Sequence, residues 1–171
     1  VKGRDGTCLQ EDSVARLFQG MPPRVHYWLC NARVARARVA LEYGSGHGTN
    51  VLHVAQWDST IRWAGCDISP DQVQMCKDQA ARVGLSVGFF SDGDESQFQQ
   101  YDSVAVLHVL EHTAYPDQVL DAAERYVRPG GHVVVVVPFD ARPAAVPSDE
   151  EATALRSGKG EERGHINSMS M

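Results

Sequence analysis

The sequence predicts an α/β protein organised around a doubly wound, mainly parallel sheet. Three observations carry this expectation. Five short apolar runs recur along the chain, most of them separated by stretches whose apolar positions have helical spacing. The runs are almost continuously apolar, the pattern of strands covered on both faces. A glycine-rich loop follows the first run directly, at the place where open parallel sheets bind ligands.

The elements follow in order. Residues 1–10 read as a flexible leader, and 11–19 as a short helix with Val14, Leu17 and Phe18 on one side. Pro22-Pro23 opens a second helix to about Arg36, with Val25, Trp28, Leu29 and Ala32 at helical spacing. Val39 to Tyr43 is the first strand, and Thr49 to Gln56 the helix after the loop. Ile61 to Ile68 is the second strand. Ser69-Pro70 then caps a helix to Val83, with Val73, Cys76, Ala80 and Val83 inward and Gly84 as its stop. Val87 to Ser91 and Tyr101 to Leu107 are the third and fourth strands. Residues 116–127 form a helix with Val119, Leu120, Ala123 and Val127 inward, and Pro129-Gly130-Gly131 turns tightly into a fifth strand, His132 to Pro138. Residues 140–171 are polar and weakly patterned, read as a mobile segment with a short helix near 148–156. The chain thus divides into an N-terminal helical segment (1–37, on the lid and substrate side), a ligand-binding core (38–139) and the C-terminal segment (140–171).

Composition narrows the function classes. The 171 residues are 43% hydrophobic and 22% charged, ordinary for a globular protein. A formal net charge of -6 argues against a broad nucleic-acid surface. Arg24, Arg33, Arg36 and Arg38 cluster, and a solvated helix face is the plain account of them. Cys8, Cys30, Cys66 and Cys76 form no C-x-x-C pair, so free thiols in a reducing compartment are expected. No apolar run reaches the length of a membrane span and no signal peptide is visible, which makes no membrane association and a cytoplasmic location the default.

The chemistry concentrates in the loop Glu42-Tyr43-Gly44-Ser45-Gly46-His47-Gly48. Glycines there allow positive φ and close approach of a ligand to the backbone. A dinucleotide site wants G-x-G-x-x-G/A, whereas here Gly48 comes two residues after Gly46 and Thr49 takes the third-glycine position. The carboxylate of Glu42 beside the loop suits an ammonium group better than a pyrophosphate. Asp67, ending the second strand, is placed to accept from ribose hydroxyls, and Ser69 takes the capping role. Asp92-Gly93 is either a turn or a reader of an adenine amino group.

This ordered set, continued by Tyr101-Asp102-Ser103-Val104, Leu110-Glu111-His112 and Arg125-Tyr126-Val127-Arg128-Pro129-Gly130-Gly131, resembles class I S-adenosylmethionine-dependent methyltransferases over about residues 38–138. The subgroup it resembles most contains small-molecule O-methyltransferases of the ubiquinone-biosynthesis type. The resemblance implies a Rossmann-like methyltransferase sheet and S-adenosylmethionine as cofactor, with S-adenosylhomocysteine as product. It implies cofactor contacts from Glu42, Gly44, Ser45, Gly46, Gly48, Asp67, Ile68, Asp92, Gly93 and His108, with Glu42 and the loop at the methionine end, Asp67 on the ribose, Ile68 against adenine and Asp92 on its edge. Such sheets have seven strands. This chain shows five, so the last two are expected to be missing by truncation, in keeping with Val1 at the first position, or the fifth-strand edge is expected to be covered by a partner chain or by 140–171.

His108-Val109-Leu110-Glu111-His112 follows the fourth strand. Its spelling matches a zinc-protease motif, which would need a long helix rather than a strand end. The readings left open are a structural role, a general base at His108 or His112 for a small-molecule acceptor, and a divalent-metal site at His108, Glu111 and His112 joined by His165. His47, His53 and His132 are expected at the surface or in loops. Besides methyl transfer to oxygen or nitrogen, a non-catalytic module, a nicotinamide oxidoreductase and an RNA 2′-O-methyltransferase remain in play, the last opposed by the acidic charge.

Overall fold

The computed structural model describes residues 20–138, so the helix expected at 11–19, the segment 140–171, Cys8 and His165 lie outside the described residues. The described chain folds as five strands and four α-helices: α1 (Pro23–Val34), β1 (Val39–Tyr43), α2 (Thr49–Trp57), β2 (Arg62–Asp67), α3 (Pro70–Val83), β3 (Gly88–Ser91), β4 (Tyr101–Leu107), α4 (Pro116–Glu124) and β5 (Val127–Val136). The strand order is β3-β2-β1-β4-β5, and every pairing is parallel. The expected α/β class, doubly wound and Rossmann-like, is what forms. The order reverses between β1 and β4, so the C-terminal ends of those two strands flank the crevice where such sheets take ligands.

Alternation along the strands sorts the core into two faces. Ala40, Trp63, Phe89, Ala105, Leu107 and Val134 meet α1, α2 and α3, where Trp28 and Trp63 pack edge to face at 5.0 Å between centroids. Leu41, Tyr43, Cys66, Val104 and Val106 face the other way, toward Ala123 of α4 and Tyr126. No α-helix links β3 to β4; a 3-10 turn, Glu95–Gln97, stands there instead. Phe90, Phe98, Tyr101 and Tyr126 fill the space a helix would occupy, in ring contacts of 5.1–6.3 Å.

Local signals account for most boundaries. The Ser69 hydroxyl accepts from the Gln72 N–H at 3.4 Å, Pro70 fits the first turn, and Gly84 ends α3 in the left-handed region at φ +69°. The C-terminal part differs from expectation. Val127 was expected inward on a helix, but that helix stops at Glu124 and Val127 already pairs with Tyr101 as strand. The Pro129-Gly130-Gly131 turn is therefore a bulge inside β5: the step from Tyr101 to Ser103 is matched by the step from Val127 to His132. His132 accordingly sits within a strand. His53, expected at the surface, is buried on α2, because its position continues the inner face begun by Val51, Leu52 and Val54.

Asp102 fixes the opposite end of the sheet. Its carboxylate accepts the backbone N–H groups of Arg38 at 2.6 Å and Val39 at 3.0 Å, and pairs with Arg128. One side chain of β4 thereby holds the start of β1 and the entry to β5. At the β5 edge Val133 and Val135 remain 38% and 43% exposed on the α4 side. No helix among the described residues is long and apolar enough to cross a membrane.

Burial opposes ionisation of Asp102, but the two N–H bonds and Arg128 outweigh it and hold the carboxyl below its ordinary 3.8. Its stabilisation is therefore complete above about pH 4 and is lost as pH falls through the lowered folded value. Asp102→Asn should lower unfolding free energy by about 1–3 kcal/mol at neutral pH, with the deficit shrinking in acid, as read by urea titration.

Candidate functional site

The loop after β1 is stitched to the end of β2. The N–H groups of Gly44 and Ser45 both donate to the Cys66 carbonyl, at 2.9 and 2.8 Å. Asp67 then reaches back across the loop, its Oδ2 accepting from the Gly46 N–H at 2.8 Å and its Oδ1 from the Ser69 N–H at 3.0 Å. Asp67 is thus engaged, not idle, although each oxygen keeps acceptor capacity for a further donor. From below, the buried Cys76 thiol donates to the Gly46 carbonyl at 3.0 Å, and burial pushes its pKa up to about 12.

Two glycines in this loop are dictated by close packing. A Cβ on Gly44, at φ +74°, would stand 2.7 Å from Val109. One on Gly48, at φ +70°, would stand 2.8 Å from Cys76 Sγ and 3.0 Å from Phe89. Gly48 also serves as the N-cap of α2, with no side-chain cap, so the first N–H groups of that helix open at the loop. At Gly46 a Cβ would meet nothing within 4 Å, which leaves the face of the loop open.

That face forms the floor of a cleft of about 470 Å³ lined by Ser45, Gly46, His47, Thr49, Asn50, His53, Leu107 and His108, and on the N-terminal side by Gly20, Pro22 and Arg24. Behind Asn50 lies Glu42, 1% exposed. Its Oε1 accepts from Asn50 Nδ2 at 2.6 Å, while its Oε2 is buried with no hydrogen-bond partner. Asn50 Oδ1 in turn accepts from Arg24 at 3.3 Å. Burial, working against the Asn50 bond and the Arg24 charge, raises the Glu42 pKa from its ordinary 4.5 to about 8.

Arg24 and Asn50 are site residues that sequence reasoning missed. The clustering of arginines predicts a solvated face; Arg33, Arg36 and Arg38 are exposed, but Arg24 is half-buried at the start of α1 and faces the cleft. The available signal was the Pro22-Pro23 helix start, which aims the first turn of α1 at the sheet.

Beyond the cleft the remaining expected residues separate. Ile68 is 80% exposed next to Asp67. The Asp92 carboxylate accepts from Tyr43 Oη at 2.8 Å and Tyr126 Oη at 2.7 Å. The Gly93 N–H donates to Tyr126 Oη at 2.8 Å. Both tyrosines stand in the motifs the sequence shows, but the sequence assigns neither of them a role. His108 lines the cleft at φ +56°, with Nδ1 3.5 Å from the buried Glu111 Oε1. His112 lies in the 3-10 turn Leu110–His112, exposed and outside the cleft lining. Among the described residues no three of His, Cys, Asp and Glu gather closely enough to hold a metal ion.

The chain is similar in sequence and in fold to known proteins. A profile of the family described as Methyltransferase domain matches residues 41–133, more than half of the chain. The chain belongs to this family. It is similar to the ubiquinone biosynthesis O-methyltransferase of Serratia proteamaculans (strain 568), 29% identical over 116 residues that cover 66% of this chain and 47% of that protein. The chain therefore spans about half the length of the curated relative it matches. Among solved structures, coclaurine N-methyltransferase bound to N-methylheliamine and SAH superposes with a TM-score of 0.52 at 22% identity, over 78% of this chain and 38% of that one. The [4+2]-cyclase SpnF does so with a TM-score of 0.53 at 29% identity, over 69% and 44%. The matched span, residues 41–133, contains the glycine loop, Asp67, Asp92 and His108.

Between pH 4.5 and about 8 the folded chain keeps a proton on Glu42 that the unfolded chain releases, so stability falls as pH rises through this window. Glu42→Gln removes that dependence. Its stability relative to the parent should climb with pH by up to about 1.4 kcal/mol per unit across the window and level off above it, as read by urea titrations at stepped pH.

Proposed function

We propose that this chain is the cofactor-binding part of an S-adenosylmethionine-dependent methyltransferase acting on an oxygen or nitrogen of a small-molecule acceptor. The observation that carries this is the unsatisfied polar wall of the loop. Glu42 Oε2 and Ser45 Oγ are buried without hydrogen-bond partners, beside an open Gly46 face. Those orphans fit an amino-acid moiety: a ligand ammonium draws out the ionised form of Glu42, and Arg24 at the cleft rim matches a carboxylate. A nucleotide pyrophosphate would instead meet a buried acid. Asp67 has lone pairs left for ribose hydroxyls, and the exposed Ile68 offers an apolar face to a purine. The relative's name, ubiquinone biosynthesis O-methyltransferase, supports the same assignment and favours oxygen over nitrogen as the acceptor atom.

When bound, S-adenosylmethionine supplies an electrophilic methyl group on a positively charged sulfur. The chain's own residues align the acceptor and manage its proton. His108 is the candidate base, because its imidazole stands in the cleft and its Nδ1 lies 3.5 Å from the buried Glu111 carboxylate, which orients the ring. His112, exposed and outside the cleft, is set aside from that role in this reading. A non-catalytic or non-methylating role is the second reading, favoured by the likeness to a cyclase on the same fold.

Incubation with methyl-tritiated S-adenosylmethionine and a panel of phenols and amines should transfer label to an acceptor. His108→Asn should cut kcat by roughly 10²–10⁴-fold, a larger loss than any accompanying rise in the Kd for S-adenosylhomocysteine. Tight binding with no transfer to any acceptor would establish the second reading instead.

A further inference from the structure

We propose that Tyr43 and Tyr126 are positioning residues that make the purine end of this site selective for a 6-aminopurine over a 6-oxopurine. The inference rests on the reading of Asp92 as the group that meets the purine edge.

Asp92 sits in the turn after β3, a segment without regular structure of its own. A carboxylate in such a turn would ordinarily rotate and hydrate. Here it is clamped from two separate elements. Tyr43 ends β1 immediately before the glycine loop, and its hydroxyl donates to Oδ2 at 2.8 Å. Tyr126 stands at the junction of α4 and β5, and its hydroxyl donates to Oδ1 at 2.7 Å. The rings are themselves fixed. Tyr126 is fully buried and Tyr43 is 6% exposed. Phe98 meets Tyr126 edge-on at 5.1 Å, Phe90 lies 5.8 Å from it, and the two tyrosine rings are 6.0 Å apart.

The hydrogen bonds have a forced direction. The Gly93 N–H is shared between Tyr126 Oη at 2.8 Å and Asp92 Oδ1 at 2.9 Å, so the phenol oxygen is occupied as an acceptor and its single proton is committed to Asp92. Tyr43 has likewise one proton, and Asp92 is the partner it reaches. Burial and the neighbouring Asp92 charge push both phenols well above the ordinary tyrosine range, so both remain donors across neutral pH. Every donor in the cluster thus points at one carboxylate, and what that carboxylate presents to a ligand is acceptor only. An exocyclic amine at C6 supplies the missing donor. A carbonyl at C6 sets oxygen against oxygen, and the clamp denies the carboxylate the rotation that would relieve it. A site arranged in this way rejects the mismatched analogue through an unpaired polar group, not through size.

Titration calorimetry with S-adenosylhomocysteine and its deaminated analogue S-inosylhomocysteine tests this. The parent chain should prefer the adenosyl ligand by roughly 10–100-fold, the scale of one charge-assisted hydrogen bond. Tyr43→Phe and Tyr126→Phe keep the rings and delete the donors. Each should shrink that preference several-fold, mainly by weakening the adenosyl ligand, with thermal unfolding followed in parallel to confirm a folded chain. Asp92→Asn, which adds a donor to the same position, should shrink it further by improving the inosyl ligand. If the tyrosines serve only to hold the fold, both affinities fall together and the ratio stays put, which overturns the proposal. Equal binding of the two ligands by the parent overturns it as well. Binding of neither ligand by the parent would instead bring down the cofactor reading on which it stands.

Discussion

The stitch between the glycine loop and the end of β2 is the constraint on which the rest of the site depends. Two loop N–H groups converge on the Cys66 carbonyl, and Asp67 takes a third from Gly46. This binds the β1 and β2 ends into one rigid ledge, with Cys76 of α3 closing it from beneath. The loop can then point its open face at the cleft, and the α2 helix starts at a fixed angle from Gly48. A loop free to move could not keep Glu42 under its floor without admitting water. The high pKa of Glu42 is thus a consequence of the stitch as much as of the residue.

Two buried acids of the sheet illustrate how surroundings set opposite behaviour. Asp102, at the N-terminal end of the strands, accepts two N–H groups and an arginine, and its carboxyl is held low. Glu42, at the C-terminal end, has one amide donor and one empty oxygen, and its carboxyl is pushed up. The first satisfies itself and serves the fold. The second keeps one oxygen, Oε2, buried without a hydrogen-bond partner among the described residues, and such an unmet demand is what a binding site retains.

Much of this was legible from the sequence. Parallel strands buried on both faces leave near-continuous apolar runs, so β1, β2 and β4 could be placed closely, and Ser69-Pro70 and Gly84 marked the ends of α3. The loop glycines and Asp67 were legible because their chemistry is local: a left-handed turn and a strand-end carboxylate leave fixed spellings. What escaped depends on three-dimensional convergence. Arg24, Asn50 and Glu42 come together from α1, α2 and β1, and Tyr43, Asp92 and Tyr126 from β1, the turn after β3 and the junction of α4 with β5, and no spacing along the chain announces either set. The β5 bulge escaped for a different reason. Pro-Gly-Gly spells a turn, and only the pairing of Val127 with Tyr101 turns it into an interruption within a strand. His53 escaped because a polar residue on an inner helix face breaks the apolar pattern used to find that face.

If the chain binds S-adenosylmethionine as proposed, the ledge over β1 and β2 receives an adenosyl amino acid in a defined orientation. A crystal structure of the chain with S-adenosylhomocysteine tests it most directly. The predicted result places the amino-acid end over Ser45 and Gly46 beside Asn50 and Arg24, the ribose hydroxyls on Asp67, and the purine between Ile68 and Asp92. A nucleoside bound away from Asp67, or turned so that the purine occupies the Arg24 end of the cleft, would contradict it.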